Sequence, residues 1–175
     1  MKSTATTKFD NKEIAKQLGF DNIFQVPRID RVVINVGVGS KTEKEQRQKV
    51  AEAVSKIIGQ KMVPTKAKKS VAAFKIRQGN TVGFKATIRG ERMYHFLDKL
   101  VHVALPRTRD FQGITQSSVT PSGINIGLRD ISIFPEIKAD SLPEVIGMQI
   151  NVITQKQDKA TNDKYFKLIG FPLAK

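Results

Sequence analysis

Cysteine is absent from the chain, which excludes disulfides, thiolate zinc sites, iron–sulfur clusters and cysteine nucleophiles together. No apolar run approaches the roughly 18 residues that a membrane span needs. The opening MKSTATTKFD lacks the apolar segment of a signal peptide. Histidine occurs only at 95 and 102, seven apart on one expected helix with Arg92 and Lys99 beside them. That company repels a metal and suits phosphate better. Gly37-Val38-Gly39 is not a dinucleotide fingerprint, because the third glycine would fall on Thr42. Ser117, Ser118 and Ser122 have no histidine near them in sequence, so no nucleophile motif forms. The most telling absence is of acid: residues 53–90 hold no aspartate or glutamate, yet carry nine lysines and arginines.

Those nine positions are Lys56, Lys61, Lys66, Lys68, Lys69, Lys75, Arg77, Lys85 and Arg89, and they supply most of a net charge of +14. Surfaces made only for solubility mix both signs. A one-signed stretch punctuated by Gly, Pro and Ser points to phosphate. The length of 175 residues and 39% apolar content predict one globular domain able to close a core without staples. A polyanion is the expected partner, nucleic acid ahead of an anionic membrane.

Periodicity predicts helices over 10–19, 42–58, 91–104 and 159–169, the second with a Thr42/Glu45 capping box. Strands are expected over 28–38, 82–89, 131–134 and 147–154. Residues 61–81 read as loop with short extended pieces, and 107–128 as a long irregular connection. Strands and helices alternate without a βαβ rhythm. The fold class expected is therefore α+β, a mainly antiparallel sheet with helices packed on one face. In the two best strands Val32, Ile34, Val36 and Val38, and Phe84, Ala86 and Ile88, take one face. Arg31 and Asn35, with Lys85, Thr87 and Arg89, take the other. Such a polar face suits structured RNA read by shape and backbone, since aromatics are few and no RNP1 pattern occurs. A nucleic-acid-processing enzyme or RNA chaperone would need an acid/base or metal cluster beside the basic groove. A peripheral membrane protein would need an amphipathic helix with an exposed apolar face.

The run VPTKAKKSVAAFKIRQGNTVGFKATIRGERMYHFLDKLVHVALPRTRDFQG (63–113) closely resembles the bacterial type of large-subunit ribosomal protein five. So do QVPRIDRVVINVGVG (25–39), IIGQK (57–61), IFPEI (133–137), GMQINVIT (147–154) and LIGFP (168–172). The resemblance implies a single domain with a curved sheet and an N-terminal arm over 1–21, no catalysis and no cofactor or metal. It implies binding of 5S rRNA in the central protuberance of the large subunit through positions matching Asn35, Gln60, Thr65, Lys66, Lys68, Lys69, Thr87, Arg89 and Arg92. It further implies contacts with 23S-type large-subunit rRNA and neighbouring central-protuberance proteins. A protruding loop at 73–82, with Lys75, Arg77, Gln78 and Asn80, would reach P-site tRNA. An acidic stretch over 130–144, with Glu136, Asp140 and Glu144, would bridge to ribosomal protein thirteen of the small-subunit head. The place implied is the cytoplasmic ribosome, with no membrane partner. Segments 118–125 (SVTPSGIN) and 138–146 (KADSLPEVI) depart from the family pattern, as does Phe84, which stands where a smaller residue is common.

Overall fold

A computed structural model describes residues 11–39, 44–109, 111–137 and 145–174. Six strands form one antiparallel open sheet in the order β2-β3-β1-β6-β5-β4. They are β1 (Ile29–Gly37), β2 (Val63–Lys66), β3 (Thr81–Ile88), β4 (Val119–Thr120), β5 (Gly123–Leu128) and β6 (Met148–Thr154). Four helices accompany them: α1 (Asn11–Leu18), α2 (Lys44–Ile58), α3 (Gly90–Lys99) and α4 (Lys159–Leu168). The α+β expectation holds. The chain gathers into two compact units, residues 1–32, 89–126 and 151–175 in one, and 33–88 and 127–150 in the other.

In the second unit, strict alternation does the work. Ile34 and Val36 of β1, Ile88 of β3 and Ile150 of β6 are fully buried, while Asn35, Lys85 and Gln149 on the opposite side are exposed. A strand's two-residue period turns that pattern into one dry and one wet face. Val50, Val54, Ile57 and Ile58 of α2 recur at helical spacing and are likewise buried. Thr42 of the expected capping box lies outside the described residues.

In the first unit, α4 packs on α1 and on β4. Its Tyr165 and Phe166 stack edge to face at 5.6 Å, and Phe166 meets Phe171 the same way at 5.3 Å. Burial pushes the Tyr165 hydroxyl well above its usual range, helped by Tyr94 and opposed by Arg28 and a backbone bond at Ile29. A phenol held neutral in the fold ionises near its ordinary value of 10.0 once unfolded. Its contribution to stability is therefore whole below about pH 10 and drains away above it. Melting temperatures should fall steeply between about pH 9.5 and 11 in the parent and less so in Tyr165→Phe. Equal slopes in both would assign the alkaline loss to lysines instead.

Three expectations need correction. Residues 131–134 are not a strand but a 3-10 turn, Ile131–Ile133. Asp130 caps it by accepting the Ser132 N–H at 2.8 Å and the Ser132 hydroxyl, the local bond by which Asp competes with a strand ladder. The connection 107–128 holds the β4–β5 hairpin; glycines at 123 and 127 hid its alternation. The helix read over 91–104 is α-helical only to Lys99 and widens into a π turn over Leu100–Ala104. There the Leu105 N–H reaches back five residues to Leu100 O at 2.9 Å, and Leu100, Ala104 and Leu105 are all buried. The short extended piece expected within 61–81 is β2, an edge strand that tolerates Pro64 because a proline there breaks no ladder bond.

Candidate nucleic-acid interface

The interface starts from the β2–β3 pair. Val63 faces Lys85, Pro64 faces Phe84, and Thr65 faces Gly83, with a bulge between Thr65 and Lys66. Residues directly opposite in an antiparallel pair share a face, so Thr65 and Lys85 stand on the wet side with Asn35 and Thr87. Gly83 keeps that side flat: a Cβ there would come within 2.6 Å of Val36 O and 3.2 Å of Thr65 Oγ1. Phe84 is buried on the dry side, so its departure from the family pattern is absorbed in the core.

The segment joining β2 to β3 is bonded to itself along its length. Ala67 N–H donates to Asn80 O at 2.8 Å, and Gly79 N–H returns to Ala67 O at 3.0 Å. Gln78 N–H donates to Ser70 Oγ at 2.9 Å, and Val71 and Ile76 exchange both backbone bonds at 2.9 and 3.1 Å. The tip is therefore Ala72–Lys75, where Lys75 takes a left-handed φ of 53° and Phe74 is 67% exposed. Arg77, Gln78 and Asn80 lie on the returning limb rather than at the tip.

All nine cations of 53–90 are exposed. None of them has an ion-pair or hydrogen-bond partner among the described residues. Unpaired ammonium and guanidinium groups on a fixed backbone keep only mobile counterions, which a polyanion displaces with a gain in entropy. Not every expected residue is equally available. Gln60 is half-buried and its Nε2 donates to Thr87 O at 3.3 Å, so it braces the edge of β3. Arg31 is half-buried, with Nη1 2.6 Å from Asp30 Oδ2. Arg89 lies past the end of β3 and caps α3 with an extended backbone, and Arg92 is exposed in the first turn of that helix. Arg31, Arg89 and Arg92 belong to the first unit; Asn35, Gln60, Thr65, Lys66, Lys68, Lys69, Lys85, Thr87 and the loop residues belong to the second.

Sequence reasoning overlooked the amides of the wet face. Gln149 on β6 is exposed, and β6 lies beside β1, so Gln149 joins Asn35 on that side of the sheet. Its alternation was visible in GMQINVIT; its neighbour was not. Asn125 and Asn151 hold the equivalent face in the first unit, and Asn151 Oδ1 is buried without a hydrogen-bond partner.

Among the described residues no cluster of histidines and carboxylates could hold a metal, and no helix is long and apolar enough to cross a membrane. His102 Nδ1 sits 2.8 Å from Asp98 Oδ1, which engages it within its own helix. Of the acidic stretch, Asp130 is spent as a cap and Glu136 is exposed; Asp140 and Glu144 lie outside the described residues.

An antiparallel sheet with one polar face, flanked by a rigid cationic loop, defines a nucleic-acid-binding α+β protein. Residues 22–77 match the family model "Ribosomal protein L5", and residues 81–173 match the model of the C-terminus of the same ribosomal family. The chain is 41% identical over 164 residues to large ribosomal subunit protein uL5 of Natranaerobius thermophilus, covering 93% of this chain and 92% of that one. It is 44% identical over 167 residues to the protein of that name from Desulforamulus reducens, covering 93% and 91%. With that of Mesoplasma florum it is 40% identical over 183 aligned positions, covering both chains in full. The chain belongs to the ribosomal protein L5 family. It is a structural constituent of the large subunit of the cytoplasmic ribosome, an rRNA-binding protein and not an enzyme.

Proposed function

We propose that the protein binds 5S rRNA through the wet face of β1 and β3 and the cationic loop between β2 and β3, fixing it in the central protuberance. The observation that carries this reading is the acid-free stretch 53–90, whose nine cations are exposed and have no ion-pair partner among the described residues. Lys66, Lys68 and Lys69 take phosphates, while Asn35, Thr65, Thr87 and the free edge of Gln60 meet sugar hydroxyls and base edges. Arg31, Lys85, Arg89 and Arg92 add contacts to 5S or 23S-type rRNA. The test is a mobility-shift titration. The protein should retard 5S rRNA at concentrations that leave DNA duplex of equal length free, and equal retardation of both would reduce the surface to a non-specific polycation.

Two further contacts follow from the same reading. The self-bonded loop, with Lys75, Arg77, Gln78 and Asn80, touches P-site tRNA. The acidic stretch with Glu136, Asp140 and Glu144 meets ribosomal protein thirteen of the small-subunit head, a rim contact that salt weakens. In assembled ribosomes, Lys75→Ala with Arg77→Ala should speed tRNA dissociation severalfold. Converting Glu136, Asp140 and Glu144 to lysine should weaken subunit joining at low salt only. Unchanged tRNA release removes the first contact; unchanged joining at every ionic strength removes the second.

A further inference from the structure

Phe24 is 77% exposed, although Val26 and Pro27 just beyond it are buried. It stands on the 3-10 turn Ile23–Gln25. That turn is tied down on three sides. Asn22 Oδ1 accepts the Phe24 N–H at 2.9 Å, Val26 N–H closes on Ile23 O at 3.3 Å, and the Gln157 side chain donates to Gln25 O at 3.2 Å. The guanidinium carbon of Arg28 lies over the ring, 5.5 Å from its centre. One face of the ring therefore carries a cation, and the exposure leaves the other face to solvent.

We infer that Phe24 and Arg28 form a stacking platform for one unpaired base of ribosomal RNA, an inference that rests on the rRNA-binding reading above. A flat ring with a cation–π partner behind it matches a nucleobase, whose π-face is covered equally well whatever the base. The surroundings favour a base over the alternatives. The sequence neighbours Asp21, Asn22, Gln25 and Arg28 are polar or charged, whereas a protein partner would bury a contiguous apolar patch. Asp21 offsets Arg28 in charge, so the site is a poor cradle for a phosphate backbone. Arg28 is held in place too, because its carbonyl accepts the Gln155 N–H at 3.2 Å.

The experiment uses the full chain with transcribed 5S rRNA and, separately, transcribed large-subunit rRNA. Ultraviolet irradiation followed by mass spectrometry should place a nucleotide adduct on Phe24 with one of the two. Phe24→Ala and Phe24→Leu should weaken binding to that RNA roughly five- to a hundredfold, the effect of losing one base stack, and Phe24→Tyr should bind within about twofold of the parent. Melting temperatures should stay level, since the ring is solvated. Parental binding by Phe24→Leu overturns the platform, with or without loss in Phe24→Ala; the latter pattern marks a plain apolar contact. The Lys66/Lys68/Lys69→Ala chain is measured alongside. If it loses affinity while Phe24→Leu does not, only the platform falls; if neither loses affinity, the assignment of phosphate contacts to those three lysines falls with it.

Discussion

A Gly123→Ala chain should melt roughly 8–16 °C below the parent, the shift expected from a loss of ~4 kcal/mol in a protein of this size. Gly123 opens β5 with φ +142°, a region that side chains rarely enter. A Cβ added there would lie 1.9 Å from Val152 O and 3.0 Å from the carbon that bears it. The obstacle is the backbone of the neighbouring strand β6, not a side chain that can swing aside. Strain at such a dihedral costs about 1–3 kcal/mol, and displacing packed backbone costs about as much again. The turn has no slack to share the movement. Thr154 N–H donates to Ser122 O at 3.0 Å, Asn162 Nδ2 to Thr120 O at 2.9 Å, and Thr120 Oγ1 to Gly123 O at 3.0 Å. Gly127→Ala is the matched control, because nothing lies within 4 Å of its added methyl, and it should melt close to the parent. If the two variants melt together by circular dichroism, the β4–β5 hairpin rotates more freely than its bonds suggest.

The Lys66, Lys68 and Lys69→Ala chain should bind 5S rRNA roughly a hundredfold more weakly at about 0.1 M salt. Its plot of log affinity against log salt should flatten by about two to three units. All three side chains are exposed and have no partner among the described residues, so removing them leaves no buried partner behind and the melting temperature should hold. Each phosphate neutralised releases slightly less than one counterion, and that release weakens as bulk salt rises. The variant and parent should therefore converge near 1 M salt. An unchanged slope with weaker binding would mean that the lysines act through the fold of the loop. An unchanged slope with unchanged binding would move the phosphate contacts elsewhere.

How far the site was legible depends on the kind of signal. Asn35, Lys85 and Thr87 were placed correctly because alternation is a covalent property of a strand: once Ile34 and Val36 go inward, Asn35 must face out. Arg89 was misplaced by one residue at a strand end, where Gly90 with φ +64° turns the chain into α3. Where the loop turns was not legible. The position of the turn depends on the Val71–Ile76 pairing, which joins two residues of no distinctive type.

The sequence by itself determined which residues are dry, where the positive charge lies and that no thiol chemistry exists, since these follow from residue type and short periods. Family membership was equally legible in its long motifs. Only the tertiary structure decided that β6 lies beside β1, which brings Gln149 to the wet face, and that Gln60 braces Thr87 from 27 residues away. It alone showed that Phe24 is left outside the core with Arg28 across its ring. Strand order, a side-chain amide's choice of partner and the exposure of one phenyl ring depend on contacts between distant segments. Each is settled by packing and hydrogen-bond satisfaction across the whole fold, and no local pattern encodes them.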